Sequence, residues 1–250
     1  MRDFSYQLYS SRNFGPLPDT LKMVADLGYT QVEGYGALYA GLDDLGKLKA
    51  DLARNGLAMP TGHFGFDMVR DDPARTIDIA RELDMAAVIV PFLPPDRRPA
   101  DAAGWRAFGA ALAEAGKPVR DAGFAYGWHN HAFEFEALPD GSLPLDLILA
   151  DNDVALELDL AWAQVAGRSP AELVREHSDR LIAVHLKDRA SEGQNADEDG
   201  WADVGHGVMD WDTIIPAVDA SAARFLVVEH DNPKDDARFA SRSIATAKTF

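Results

Sequence analysis

His129 and His131 stand one residue apart at the end of an apolar run, Phe124 to Asn130, and Glu134 follows three residues later. Alternate residues of a strand project to the same side. Two imidazoles and a nearby carboxylate therefore form a group able to hold a cation or to move protons. Five further apolar runs end in the same way. Glu33 lies near the end of Tyr29 to Tyr35, and His63 near the end of Leu57 to Phe64. Glu157 and Asp159 share one face of Val154 to Leu160, while Leu156 and Leu158 take the other. His185 and Lys187 share a face of Leu181 to Lys187. Phe225 to His230 carries Glu229, with Asp231 two residues beyond Glu229.

An ionised group inside a buried strand costs several kcal/mol unless it is paired or bound to a metal. One such residue is readily explained as an ion pair. Repetition over successive strands points instead to one shared polar site. Carboxylates and imidazoles suit Mn2+, Mg2+, Co2+ or Zn2+. The chain has no cysteine, which excludes disulfides, thiolate ligands and a thiol nucleophile. Plainer readings apply to some positions. Glu157 reads more readily as an interior partner of Lys187 than as a catalytic group. His206 and His230 read as surface residues, Trp128, Trp162 and Trp211 as packing, and Trp105 as core.

Helical patterns separate the runs. They cover Pro18 to Leu27, Leu42 to Asn55, Asp72 to Leu83, Ala100 to Ala122 and Leu143 to Ala150, then Pro170 to His177 behind a Ser169 N-cap, Trp211 to Ala220, and Ala237 to the end. With Phe4 to Tyr9 and Ala86 to Phe92, eight strands alternate with helices at a spacing of about 30 residues. This predicts an α/β fold: a (β/α)8 TIM barrel, one domain over residues 1–250. The polar residues then collect at the C-terminal strand ends, where such barrels place their sites. The loop from Arg189 to Asp210, rich in Gly and Asp, follows the seventh strand and suits either a mobile lid or a solvated acidic loop.

Hydrophobic residues make up 47% of the 250, enough for a sizeable core. The formal net charge of −17 disfavours nucleic acid as a partner. The first residues lack a signal-peptide core, and no apolar run approaches the ~20 residues that span a membrane. The expectation is a soluble cytoplasmic protein with no membrane partner.

Five segments together resemble the xylose-isomerase-like barrel superfamily, the sugar phosphate isomerase/epimerase and endonuclease IV-like group. They are Tyr-Gly-Trp-His-Asn-His-Ala-Phe-Glu-Phe (126 to 135), Glu-Leu-Asp-Leu-Ala-Trp (157 to 162), Val-His-Leu-Lys-Asp (184 to 188), Val-Gly-His-Gly-Val-Met-Asp-Trp (204 to 211) and Val-Val-Glu-His-Asp (227 to 231). The resemblance implies one catalytic divalent metal held by a carboxylate on strand five, Asp159, His185 and Glu229. Strand five departs from the pattern. Either His129 is the ligand there, or Glu134 reaches back from the loop; the charge of a carboxylate favours Glu134.

The implied chemistry is isomerisation or epimerisation of a small sugar or polyol ketone by proton transfer next to a carbonyl, through a metal-stabilised enediolate. Glu134 and Glu229 would be the acid/base pair, with His129 as competitor, and Lys187 would stabilise the oxyanion. His63, His131 and Glu33 would bind substrate. A metal-dependent lyase or dehydratase acting on a keto-sugar or inosose is the alternative, and an endonuclease is disfavoured by the charge. No basic cluster at a strand end demands a phosphate. Members of the group often associate as homo-oligomers.

Overall fold

The structure is a computed structural model that describes residues 2–40 and 44–250. Among the described residues ten strands run in chain order: β1 (Ser5–Gln7), β2 (Gln31–Gly34), β3 (Ala58–His63), β4 (Ala87–Val90), β5 (Ala125–His129), β6 (Ala155–Asp159), β7 (Leu181–Leu186), β8 (Asp188–Arg189), β9 (Trp201–Ala202) and β10 (Phe225–Val228). Eight of them close a parallel barrel in the order β1-β10-β7-β6-β5-β4-β3-β2, and β8 and β9 form a small antiparallel hairpin outside it. Each barrel strand falls within a run expected from sequence.

Period-two alternation sorts the strand residues. Val88, Val90, Tyr126, Trp128, Leu156, Leu158, Val184, Leu186 and Val228 face outward and join the main core beneath the helices. Ala87, Ile89, Ala183 and Phe225 form a separate apolar plug inside the barrel, with Ala125 and Ala155 packed on it. The polar residues Gln7, Glu33, Thr61, Glu157 and His185 are also buried. Alternation places them on the inner face, towards the C-terminal strand ends.

Aspartates cap several of the helices. Asp72, Asp101 and Asp235 accept from the backbone N–H three residues on, at 2.8–3.0 Å. Ser169 caps Pro170–Glu176 through Glu172 N, as its position implies. Gly28 ends Leu17–Leu27 in the left-handed conformation, φ 92°. The start expected at Leu42 lies outside the described residues, and the helix described there is Leu45–Arg54.

Other helices differ from expectation for local reasons. The long helix expected over Ala100 to Ala122 is two helices, Ala102–Ala115 and Lys117–Asp121. Pro118 lacks an N–H, so the helical ladder restarts at Gly116. Short helices at Phe66–Asp71 and Leu160–Val165 follow β3 and β6 directly. Leu160 continues the apolar run of β6 without a break, and only Gly65 separates the run of β3 from Phe66. No helix among the described residues is long and apolar enough to cross a membrane.

Candidate metal centre and active site

Asp159 is the last residue of β6 and also the N-cap of Leu160–Val165. Its Oδ1 accepts from Trp162 N at 2.8 Å, while its buried Oδ2 has no hydrogen-bond donor. Asp159 pairs in register with His185 on β7, and Val227, two residues before Glu229, pairs with His185 from the other side. One donor atom each from His129, Asp159, His185 and Glu229 lie within 4.8 Å of one another, and all four residues are buried. A second group with the same property comprises His63, His129, Glu157 and His185. Two imidazoles and two carboxylates suit a borderline divalent ion. Asp159 Oδ2, approached only by the Lys187 ammonium at 3.5 Å, is the kind of acceptor that such an ion satisfies.

Glu134 joins neither group. The strand continues into a 3-10 turn, Phe133–Phe135, which carries the side chain back to the outer side of β5. There Glu134 Oε1 accepts from Trp128 Nε1 at 3.0 Å and Oε2 accepts from His131 N at 2.9 Å. Trp128 and His129 point to opposite faces, so a carboxylate committed to Trp128 stands behind the site. Burial, opposed by these N–H donors, pushes Glu134 up to about 8.

Lys187 is fully buried. Its Nζ lies 2.5 Å from Asp231 Oδ2, 3.4 Å from Glu229 Oε2 and 3.5 Å from Asp159 Oδ2. Its partners are these three carboxylates, not Glu157. Burial opposes its charge, yet the carboxylates raise its pKa. It also sits over the Trp201 and Trp162 rings, 4.3 and 5.0 Å from their centroids.

His185 has both ring nitrogens engaged. Nδ1 lies 2.8 Å from Glu229 Oε2, and Nε2 lies 2.8 Å from Glu33 Oε1. Burial disfavours its cationic form, but Glu157, Glu229 and Glu33 outweigh burial and raise it well above the usual imidazole range. The same contest holds Glu229 well below the carboxylate range, with Lys187 and His185 prevailing over burial. Asp159 is pushed up to about 6, burial exceeding the pull of Lys187. His129 is pushed down to about 4 by burial and by His185. At neutral pH it is an unprotonated imidazole, the form that ligates.

A cavity of about 450 Å³ opens above these groups. His63, His129, Glu229 and Asp231 reach it from the barrel, and Tyr9, Tyr35, Phe92 and Trp162 form apolar walls. His131 lines it too, with a buried Nδ1 that has no partner. No Lys or Arg among the described residues lines it. Glu33 is buried below, accepting from Gln7 Nε2 at 2.7 Å. Trp162 is thus both packing and cavity wall. His206 is exposed, whereas His230 is buried against Phe239.

The loop after β7 is pinned rather than free. Asp188 accepts from Gly205 N, Gly207 N, Met209 N and Trp211 Nε1 at 2.8–3.3 Å. A Cβ on Gly207 would fall 2.2 Å from both Arg189 O and Asp188 Oδ1. Arg238 ties the far side through Glu198 and Asp203 at 2.7 and 3.2 Å. Asp188, Asn130 and Gln7 are site-supporting residues that the sequence reading passed over. Asp188 carried a signal, since it directly follows Lys187.

Residues 21–247 match the family model described as xylose isomerase-like TIM barrel. The chain belongs to this family. No curated protein matches the sequence at significant similarity. Among solved structures, a sugar phosphate isomerase/epimerase from Parabacteroides distasonis is 22% identical with a TM-score of 0.82, over 98% of this chain and 92% of that one. The probable 3-DHS dehydratase AsbF from Bacillus anthracis is 12% identical with a TM-score of 0.78, over 98% of both chains. The IOLI protein, solved with a bound zinc atom, is 16% identical with a TM-score of 0.72, over 99% and 95%. At these identities the likeness is one of fold.

Proposed function

We propose that the protein is a divalent-metal-dependent isomerase or epimerase of a small, unphosphorylated sugar or polyol ketone. The observation that carries this reading is the convergence of His129, Asp159, His185 and Glu229, of which His129 and Glu229 line the cavity. These four would hold the ion. A divalent ion held there would supply Lewis-acid polarisation of a substrate carbonyl and stabilisation of the charge developing on its oxygen. His129 takes the strand-five position in this reading, and Glu134 braces the segment behind it.

Glu229 is ionised and open to the cavity, which fits the base that removes the proton next to the carbonyl. His131, neutral and with a free Nδ1, accepts a substrate hydroxyl or returns the proton. His63 offers a further polar contact on the wall. Lys187 fixes Glu229 and Asp231 and adds positive charge beneath the site. The absence of Lys and Arg from the described lining favours a substrate without phosphate. The net charge of −17 argues against nucleic acid.

The fold likeness to a sugar phosphate isomerase/epimerase and to a zinc-containing protein supports this reading. The likeness to a probable dehydratase supports elimination of water next to a keto group as the second reading, since the same base begins both reactions. Protein stripped with a chelator, reloaded with Mn2+, Mg2+, Co2+ or Zn2+ and incubated with ketoses in deuterated water tests both. Metal-dependent deuterium at the carbon next to the carbonyl is expected. Full turnover by the chelated protein would refute the metal's role.

A further inference from the structure

The cavity has two unlike parts. Its polar lining comes from the strand ends, Glu229 and Asp231 among them, and the remainder is apolar, with Tyr9, Tyr35, Pro91 and Phe92. At about 450 Å³ it falls within the roughly 300–1,000 Å³ of sites that enclose drug-sized ligands. A lone ketose is smaller than that class and carries a hydroxyl on nearly every carbon. Hydroxyls turned towards Phe92 and Pro91 would give up water without gaining a partner.

Two of the apolar walls are also surface features. Among the described residues three large hydrophobic side chains are exposed, and Tyr9 at 37% and Phe92 at 40% are two of them. Tyr9 follows β1 and Phe92 follows β4, three places apart in the ring of eight strands, so they stand across the opening from each other. Exposed apolar surface gathered at one cleft is a mark of a ligand-binding groove.

Both rings are held although they are open to solvent. The Arg12 guanidinium lies 3.8 Å over the Tyr9 ring, and its Nη1 donates to Asp231 O at 2.6 Å. Tyr35 meets Tyr9 edge to face, with centroids 5.5 Å apart. Phe92 meets His131 edge to face at 5.3 Å, and the Arg98 guanidinium lies 5.2 Å from the Phe92 ring. Rings fixed before binding lose little freedom when a ligand arrives. They suit another aromatic ring, in an offset or edge-to-face contact.

We propose that the substrate carries an aryl group on its ketone-bearing polyol unit, and that Tyr9, Tyr35 and Phe92 bind this group at the cavity mouth. The inference deepens the proposed function and rests on that reading for the ketone unit alone. The polar part of the cavity takes the ketone and its neighbouring hydroxyl, and the rings take the substituent. Tyr9 and Phe92 thereby select among ketones that the strand-end groups treat alike.

Calorimetry of the Zn2+-loaded protein with the phenyl ether and the methyl ether of dihydroxyacetone tests this. Both probes keep the hydroxyketone, and they differ only in the substituent. The phenyl ether is expected to bind about tenfold more tightly. Tyr9→Ala and Phe92→Ala, both at exposed positions and checked for folding by circular dichroism, are each expected to narrow the preference, and the double variant to abolish it. If an alanine variant unfolds, leucine takes its place. Equal affinities in the wild type, no binding of either ether, or a preference that survives the double variant overturns the aryl subsite. Each of these leaves the deuterium experiment, and so the isomerase reading, to stand on its own. A preference that disappears in the double variant while deuterium exchange fails upholds the subsite and removes the isomerase reading.

Discussion

Asn130 clasps the backbone of Asp159. Its Oδ1 accepts from Asp159 N at 3.0 Å, and its Nδ2 donates to Asp159 O at 3.3 Å. Both residues are fully buried. The clasp joins the end of β5 to the end of β6 and fixes the backbone from which a proposed ligand springs. Asn130→Ala leaves a buried N–H and C=O unpaired and is expected to cost about 1–3 kcal/mol in chemical denaturation. Loss of such a supporting contact lowers metal affinity by about 10–100-fold, readable by Zn2+ calorimetry. Unchanged affinity would show that Asp159 is held without Asn130.

Lys187 tests the electrostatics of the floor. Lys187→Met leaves three carboxylates without their buried cation, and breaking a buried pair costs about 3–5 kcal/mol. The loss is expected in full for the chelated protein and reduced by saturating Zn2+, which supplies positive charge to the same oxygens. Thermal melts of the variant with and without Zn2+ check this. Equal losses in both states would place the ion away from Glu229 and Asp159.

Metal itself is expected to stabilise the fold. An ion that binds only the folded chain adds about 2.7 kcal/mol at a hundredfold excess over its Kd. Wild-type protein should melt higher with Zn2+ than with chelator, and Asp159→Asn should lose most of that rise. A melting temperature indifferent to metal contradicts the centre.

Glu134 gives a pH signature. Burial raises it from its ordinary 4.5 to about 8, so the folded chain holds a proton that the unfolded chain releases. The stability this contributes is complete below about 4.5 and is lost as pH rises through about 8. Wild-type stability should therefore fall across that window. Glu134→Gln, which cannot ionise, should show a shallower slope in pH-dependent urea unfolding, alongside a constant penalty for the N–H donor that its amide nitrogen cannot satisfy. An identical slope in both proteins would mean that Glu134 is already ionised at low pH.

Asp188 staples the loop that follows β7. Asp188→Asn turns one acceptor into a donor facing N–H groups, and Gly207→Ala places a methyl against Asp188 and Arg189. Both variants are expected to raise amide exchange and proteolytic cleavage over residues 189–210 while the barrel strands stay protected. Protection unchanged over the loop would show that other contacts suffice.

The barrel was legible because its signal repeats. Eight apolar runs, six of them carrying titratable residues towards the same end, define strand direction, inner face and site together. Alternation put Asp159 and His185 on the inner face and Glu229 at the end of its run, while their role as ligands came from the family resemblance. The direction of the Glu134 side chain was not legible, because it lies in a turn beyond the strand. A 3-10 turn sets its direction, and no alternation rule reaches across such a turn. Glu157 was matched to Lys187 by charge, but neighbouring strands are offset, and its nearest bases are three histidines. Asn130, Gln7 and Asp188 act by bonding backbone or by bonding other site residues, a role that residue type does not advertise.

Lys187 and Asp188 are adjacent, yet one points into the barrel and the other out to the loop. The buried ammonium beside the proposed ligands and the staple of the following loop thus hang on a single peptide bond. Shifting the frame there by one residue would exchange ammonium and carboxylate, undoing both at once. Transplanting a different loop onto this barrel to change what it accepts therefore has a fixed boundary: the graft can begin after Asp188, and no earlier.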